Sequence, residues 1–341
     1  MTPRETPSGD RLTTRRELLV AIGAGALWAP FAPFAQQGKV RRIGFLAARA
    51  RSTQSNPDVY YDAFVQGMRE YGYIEGKNLV TEWRYADGRL ERLPELAAEF
   101  VRSKVEVIVT HGNQGARAAQ QATAAIPVVI AAVSDPVAAG IVASLARPGG
   151  NITGLSVMAL DVSPKQIELL HLLIPKLSRI GLLVNPLNSG HMDMLKSTQA
   201  AARRIGGSAF AVEARSAEEL ESRFAGLKQQ RADVLIVAVD TFFISQRRQI
   251  VELAAKHRVA TMHSYREDVQ AGALMSYGQN LADFYRRAAR FVDKILQGAK
   301  PADLPIEQPS QFHLALNRKT AKALGITVPK ELLLRADDVI E

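Results

Sequence analysis

From residue 40 onward, short runs of apolar residues alternate with amphipathic segments along the chain. The apolar runs predict β-strands at 43–48, 79–85, 105–110, 128–133, 180–185, 234–239 and 273–277. Most of these runs lack polar alternation, which is typical of parallel strands that are covered on both faces. Between them, apolar residues recur at helical spacing, as at Tyr60, Phe64, Met68 and Tyr71. Strands that alternate with helices in this way predict βαβ units and a doubly wound sheet.

The series of strands starts twice. A first set of five β-α units ends near 151–157, and a second set begins at 180–185 after a new helical segment. One sheet of ten or more strands is less common than two sheets of about five, so two α/β domains are the preferred architecture.

The C-terminal part predicts further crossings between the two domains. A long helical stripe at 281–297 is followed by a Pro-rich stretch that leads to 312–316. We interpret this as a return to the first domain and a last passage into the second, which creates a hinge of several segments. The expected division assigns 40–157 and about 278–304 to lobe 1, and 158–277 and about 305–341 to lobe 2.

The N-terminus carries the pattern of an export signal. Arg15 and Arg16 precede an apolar run at 20–28, which is too short for a permanent membrane helix. An arginine pair in this position predicts a twin-arginine signal peptide over residues 1–35, and an ordinary secretory signal is the alternative. With no cysteine for lipid attachment, we expect a cleaved protein that resides in the periplasm.

Composition narrows the chemistry. The absence of cysteine excludes disulfides, thiolate catalysis and Cys-ligated metals. The net charge of +9 is spread over helices without basic runs or interleaved aromatic residues, which argues against a nucleic-acid partner. No apolar segment approaches the length of a membrane span, so the mature protein is not expected to be membrane-embedded.

Motifs of catalysis are missing from the sequence. The six histidines show no metal-binding spacing, and neither a G-x-S-x-G elbow nor a phosphate-binding glycine loop occurs. The sequence therefore predicts a protein without cofactor or metal that binds its ligand but does not transform it.

The polar residues that follow the predicted strands define the candidate binding site, because ligands of open parallel sheets sit beyond the carboxyl ends of the strands. The expected ligand contacts are Thr110, Gly112, Asn113, Ser134, Asp135, Asn185, Asp240 and Tyr277, and His111, Thr241, Phe242 and Tyr265 stand at strand ends as well.

Two kinds of group in this set have competing structural roles. The helix start at 110–113 offers backbone N–H groups that suit a carboxylate, although it equally forms a simple turn. Asp135 and Asp240 each precede a predicted helix, so either carboxylate can cap that helix or pair with a ligand amine.

Several stretches resemble the substrate-binding proteins of ABC transporters. They are found at 43–46 (IGFL), 64–76, 135–154 (DPVAAGIVASLARPGGNITG), 274–278 (LMSYG) and 298–341. The nearest group is mostly uncharacterised, and its better-understood members bind tryptophan or tyrosine. The residues after the third strand, Thr110-His111-Gly112-Asn113, depart from the small residues and Thr-Pro of many relatives.

The resemblance implies a type I periplasmic binding protein, with two α/β lobes and three crossover segments. It implies a monomer that closes on an amino acid or related carboxylate and delivers it to an ABC permease at the inner membrane. A ligand-binding module of a sensory or chemotaxis system with the same fold is the alternative. A repressor domain and an exported hydrolase are disfavoured, because the chain has an export signal in place of a helix-turn-helix and lacks a nucleophile motif.

Overall fold

A computed structural model describes residues 39–49, 51, 58–157, 162–188 and 190–341. The predicted signal peptide at 1–35 lies outside these residues. Within them, no helix combines the length and the apolar character that a membrane crossing requires.

The first sheet contains five parallel strands in the order β2-β1-β3-β4-β5. The strands are β1 (Arg41–Ala47), β2 (Leu79–Tyr85), β3 (Val107–Thr110), β4 (Val128–Ser134) and β5 (Ile152–Val157). The helices between them are α1 (Val59–Glu70), α2 (Leu93–Ser103) and α3 (Gly112–Ala122), with a short 3-10 turn at Leu90–Arg92. We call the part of the chain built on this sheet the first lobe.

The second sheet contains seven strands in the order β12-β11-β10-β9-β8-β6-β7, and only the β10–β11 pair is antiparallel. The strands are β6 (Arg179–Val184), β7 (Ser208–Glu213), β8 (Val234–Val237), β9 (Thr261–His263), β10 (Met275–Gly278), β11 (His313–Asn317) and β12 (Asp338–Ile340). The helices are α4 (Ser163–Leu173), α5 (Gly190–Arg204), α6 (Ala217–Gln229), α7 (Thr241–Ser245), α8 (Arg247–His257), α9 (Arg266–Gln270), α10 (Leu281–Leu296), α11 (Arg318–Leu324) and α12 (Lys330–Arg335). All of these except α10 belong to the second lobe.

The chain passes between the lobes three times. The first passage follows β5, the second follows β10, and the third leads from α10 back to β11. Helix α10 packs against α1 and the first sheet, so it belongs to the core of the first lobe although it follows a strand of the second. On the third passage, Glu307 pairs with Leu155 of β5 before the chain leaves the first lobe. The predicted fold class, two doubly wound lobes with a hinge of several segments, is confirmed.

The second sheet is larger than the five strands expected. β11 joins it as an antiparallel strand after the Pro-rich stretch, and β12 pairs with β11 over three residues. A strand this short leaves no periodic signal in the sequence, which is why it escaped prediction.

Both sheets place their strands in the same relative order, and this order fixes where a ligand can bind. Counting along the chain, the first five strands of each sheet follow the order 2-1-3-4-5, in which the connections reverse direction between strands 1 and 3. Ligands of doubly wound sheets bind at such a reversal, beyond the carboxyl ends of the strands. In this protein the two reversals lie between β1 and β3 and between β6 and β8.

Candidate functional site

A cavity lies beyond the carboxyl ends of the strands of both sheets. The space within it that a water molecule can reach is about 30 Å³. It is lined by His111, Gly112, Asn113, Gln114, Ala132, Ser134 and Val157 of the first sheet and its loops, by Asn188, Val239, Asp240, Thr241, Ile244 and Tyr265 of the second lobe, and by Leu281 and Tyr285 of α10. Both sheet reversals therefore contribute to one site.

The start of α3 forms the wall of the cavity in the first lobe. Gly112 has a φ of +70°, which gives the chain a sharp entry into the helix. No side chain caps this end of α3, and the first N–H groups of a helix have no acceptor within it. The side chain of Asn113 is already used, because its amide exchanges two hydrogen bonds of 3.0 Å with the backbone of Ser134. The backbone N–H groups, together with the buried and unpartnered Nε2 of Gln114, are thus the donors available to an anion.

His111 adds a neutral donor beside this helix start. Its Nε2 accepts a hydrogen bond of 3.4 Å from the N–H of Ala48 and lies 3.3 Å from the hydroxyl of Tyr61. Burial and the nearby Arg49 guanidinium lower the pKa of His111 well below its ordinary value, so the ring is neutral. Since Nε2 is an acceptor, Nδ1 carries the proton. Within the described chain, Nδ1 has no hydrogen-bond partner, and His111 lines the cavity.

Asp240 supplies the negative group of the opposite wall. It is 3% exposed, and its Oδ1 accepts a bond of 2.8 Å from the N–H of Phe242, which caps α7. The amide groups of Asn185 and Asn188 donate to the two carboxylate oxygens at 3.3 and 2.9 Å. All of these donors are neutral.

The imidazole of His191 gives Asp240 no hydrogen bond. His191 Nε2 lies 3.7 Å from Oδ2 of Asp240. His191 Nδ1, however, accepts a bond of 2.8 Å from the N–H of Asn185, and Nε2 donates to the carbonyl of Val239 at 3.1 Å. The described residues therefore offer no cation to Asp240, and a buried carboxylate without one is costly. A cationic group on a ligand would remove this cost.

The two lobes touch at the cavity. A Cβ atom added to Gly112 would lie 2.5 Å from Oγ1 of Thr241. The starts of α3 and α7 thus approach each other directly, and the lobes are closed over the cavity.

Four of the eight expected contact residues line the cavity, namely Gly112, Asn113, Ser134 and Asp240. The other four are not brought to its wall. Thr110 is fully buried and donates to the carbonyl of Leu46 at 3.1 Å. Asp135 is exposed, has a φ of +39° and accepts from the N–H of Ala138, as a turn cap does.

Asn185 and Tyr277 also lie away from the wall. Asn185 is 1% exposed and stands behind Asp240, to which it donates. The ring of Tyr277 stacks on Phe312 with 5.6 Å between centroids. These side chains serve packing and local hydrogen bonds in this closed arrangement.

Six further polar or aromatic residues line the cavity, and the sequence indicates their position there to differing degrees. His111, Thr241 and Tyr265 stand at strand ends and could have been chosen on position alone. Tyr285 lies on the apolar stripe of α10, where helical spacing predicts core packing and does not distinguish a cavity wall from a core. Asn188 and Gln114 follow the strand ends by a few residues, and nothing in the local sequence marks them.

The chain is similar in sequence and in fold to known proteins. The family model described as ABC transporter substrate binding protein matches residues 55–340. A tyrosine-binding protein of Clostridioides difficile (strain R20291) is 27% identical over 264 residues, which are 77% of this chain and 75% of that protein.

Two solved structures with 26% identity differ in how well they superimpose. An ABC domain from Streptococcus pneumonia in complex with L-Trp has a TM-score of 0.78 and covers 87% of this chain and 100% of its own. A ligand-free, open structure of a substrate binding protein with adhesive properties from Clostridium difficile has a TM-score of 0.63, with coverage of 88% and 99%. The lower similarity to the open structure agrees with the contact between the lobes.

Proposed function

The chain belongs to the family of ABC transporter substrate-binding proteins, and from this premise we propose that it captures a free amino acid for import. The family is one of binding proteins and not of enzymes, in agreement with the lack of catalytic motifs. The proposed protein is exported to the periplasm by the signal at 1–35, works as a monomer and delivers its ligand to an ABC permease.

The observation that carries this proposal is the pairing of opposite chemistries across one cavity. The start of α3 and His111 present donors from the first lobe, whereas Asp240 presents a carboxylate without a cation from the second. An amino acid carries a carboxylate and an ammonium on one carbon atom. Its carboxylate would accept from the donors of the first lobe while its ammonium pairs with Asp240 of the second. The two walls do not form these bonds with each other.

The proposed contacts revise the set expected from the sequence. The ligand carboxylate accepts from the N–H groups at the start of α3 and from Nδ1 of His111. The ligand ammonium donates to Asp240. The ligand side chain lies among Val157, Ile244 and Leu281 and the rings of Tyr265 and Tyr285, all of which line the same cavity.

An aromatic side chain is the first candidate for this apolar part. The relative from Clostridioides difficile is described as tyrosine-binding, and the Streptococcus pneumonia structure contains L-Trp. Two tyrosine rings in the cavity wall support the same class of ligand, because aromatic rings pack favourably on one another. Hinge closure would then bury the ligand between the lobes and favour the closed state over the open one.

The test is a calorimetric titration of the purified mature chain with the twenty L-amino acids. Each hit is compared with its analogue that lacks the amine, such as 3-(indol-3-yl)propionate for L-tryptophan. We expect at least one amino acid to bind and its deaminated analogue to bind far more weakly, because Asp240 would lose its cation. If no amino acid of the panel binds, or if an amino acid and its deaminated analogue bind equally well, the proposal is contradicted.

A further inference from the structure

The lobes are also joined outside the ligand cavity, through a tyrosine and an arginine. Nη2 of Arg247, in α8 of the second lobe, donates to the hydroxyl of Tyr60, in α1 of the first lobe, over 2.5 Å. The guanidinium lies over the Tyr60 ring at 5.6 Å from its centroid. One hydroxyl of the first lobe thus meets a charged group of the second.

The first-lobe side of this contact is held rigidly. Tyr60 is 1% exposed, and its ring stacks on Tyr285 with 5.6 Å between centroids. The guanidinium of Arg49 lies over the same ring at 5.1 Å, and Arg49 is itself fixed by two hydrogen bonds to Asp58. The hydroxyl therefore has little freedom to follow the other lobe when the cleft opens.

The second-lobe side is held as well. Nε of Arg247 donates to Oδ1 of Asp268 over 2.5 Å, and Nδ1 of His263 lies 3.4 Å from Oδ2 of the same carboxylate. Burial opposes ionisation of Asp268, but Arg247 and His263 together lower its pKa to about 2. Asp268 is therefore charged at neutral pH and keeps the guanidinium in place.

We propose that Tyr60 and Arg247 form a latch that holds the lobes closed and so sets the lifetime of the ligand complex. Neither Tyr60 nor Arg247 lines the ligand cavity itself, although Arg247 lines an adjoining cavity that shares Asp240 and Tyr265 with it. The role in ligand lifetime rests on the proposed binding function, whereas the role in closure does not. A bond that exists only in the closed state shifts the balance of states by its own free energy.

The Cys-free chain allows closure to be measured without a ligand. A Cβ atom at position 112 would lie 3.8 Å from Cβ of Thr241, which matches the spacing of about 3.8 Å found across disulfides. In the double variant Gly112→Cys/Thr241→Cys, the only two thiols meet when the lobes close as they do here. The rate of disulfide formation under a mild oxidant then reports the closed fraction, even where that fraction is small.

The decisive substitution is Tyr60→Phe in this double-cysteine background. It keeps the ring and its stacking but removes the hydroxyl that accepts the bond from Arg247. We expect disulfide formation to slow by roughly tenfold, because the closed state loses one hydrogen bond to a charged group. A tenfold change corresponds to about 1.4 kcal/mol. The matched control is Tyr73→Phe, which removes a hydroxyl bonded to Asp293 at 3.0 Å within the first lobe and should leave the rate unchanged.

Equal rates for the Tyr60→Phe variant and its parent would overturn the latch. Because φ is +70° at Gly112, a cysteine there is strained, and if the parent forms no disulfide the spin labels described next replace this readout. Should the two cysteines prevent folding, spin labels at Val137→Cys and Leu187→Cys, which are 40% and 68% exposed, give the closed fraction from their distance distribution. A stability loss without a change in closed fraction would assign Tyr60 a structural role only.

The second readout uses L-tryptophan as the probe on the chain without cysteines. We expect Tyr60→Phe to raise the dissociation rate roughly tenfold while the association rate is unchanged, because the latch forms after the ligand has entered. If L-tryptophan and the rest of the panel do not bind, the binding proposal fails. The disulfide rates still decide whether the latch exists.

Discussion

At the scale of single residues, the site is built from polar groups whose charge state is set by their surroundings. Burial keeps His111 neutral and leaves its Nδ1–H as a donor, whereas three neutral donors keep Asp240 in place without balancing its charge. The first group suits a ligand anion and the second a ligand cation. This difference follows from neighbours far apart in sequence.

Substitution of Asp240 tests the proposed ammonium contact. We expect Asp240→Asn to weaken amino-acid binding by about 2–5 kcal/mol, because the ligand amine would then be buried without its counter-charge. The change in affinity is measured by calorimetry and the change in stability by urea unfolding. Asp233→Asn, at the opposite end of the same sheet where Asp233 accepts from Ser178 and Arg179, is the control and should leave affinity intact. Unaltered binding by the Asp240 variant would remove the ammonium from this position.

The buried neutral state of His111 predicts how stability depends on pH. The folded protein resists protonation of His111, whereas in the unfolded chain the histidine takes up this proton with its ordinary pKa of about 6.5. Stability is therefore lost as the pH falls below about 6.5, by up to about 1.4 kcal/mol per pH unit for this one group. Urea unfolding of the His111→Gln variant between pH 8 and pH 5 should show a shallower loss than the unsubstituted chain.

The measurement at pH 8 isolates the packing cost of the His111→Gln substitution, because neither side chain is charged there. Parallel curves for the two proteins down to pH 5 would mean that folded His111 accepts a proton and that its assigned role as a neutral donor is incorrect.

At the scale of elements, the close packing of α1 on α10 fixes both the first lobe and one wall of the site. Tyr60 and Tyr285 stack across this helix pair, and Tyr285 continues into the cavity lining. Gly67 permits the approach, because a Cβ atom there would lie 2.3 Å from the backbone oxygen of Arg286. The helices could not keep this spacing with any larger residue at position 67.

Enlarging position 67 should therefore separate the two helices. We expect Gly67→Ala to lower the free energy of unfolding by about 1–3 kcal/mol, the usual cost of overpacking, and to weaken ligand binding through displacement of Tyr285. Urea unfolding and calorimetry measure the two effects.

Gly226→Ala, in α6, is the matched control for a glycine within a helix. A Cβ atom there meets only a flexible side-chain end, Nε2 of Gln230 at 3.7 Å, so the better helix propensity of alanine should stabilise the protein by up to about 1 kcal/mol. If both alanine variants were stabilised, the close approach of α1 to α10 would be contradicted.

At the scale of the whole molecule, function depends on two sheets whose ligand-binding edges face each other. The approach of Gly112 to Thr241 and the contact of Tyr60 with Arg247 both join the lobes. The higher similarity to the structure with L-Trp than to the open one agrees with this closed arrangement.

A ligand that contacts both lobes should stabilise both. At a concentration of 100 times its Kd, the tightest amino acid of the panel is expected to add about 2.7 kcal/mol to the free energy of unfolding. Hydrogen exchange read by mass spectrometry should then slow at the start of α3 and at the start of α7 together. Protection confined to one of these segments would mean that the ligand binds a single lobe.

The hydrophobic pattern of the sequence was sufficient to predict the fold class. Strand periodicity and helical stripes are local, and a buried parallel strand such as β3 or β8 is recognisable from its own residues. The restart of the pattern near residue 180 likewise indicated two sheets. The pattern did not reveal β12, whose three residues gain their strand conformation only from pairing with β11.

The site was predicted in part, and the reason for the misses is geometric. The strand ends deliver polar residues to the same edge of a sheet, and Gly112 and Asp240, which the sequence placed at that edge, line the cavity. The sequence could not decide which side chain bonds within its own lobe, as those of Asp135 and Asn185 do, or which faces the cavity. For Asn185 that choice depends on a partner brought by another part of the chain, Asp240.

The sequence by itself thus determined the alternation of elements, the number of lobes and the edge at which a ligand would bind, because each of these follows from local periodicity. Only the tertiary structure brought Asp240 opposite the start of α3 and Arg247 to the hydroxyl of Tyr60. These contacts join residues more than a hundred positions apart, and their energies depend on burial and closure, which no local pattern encodes.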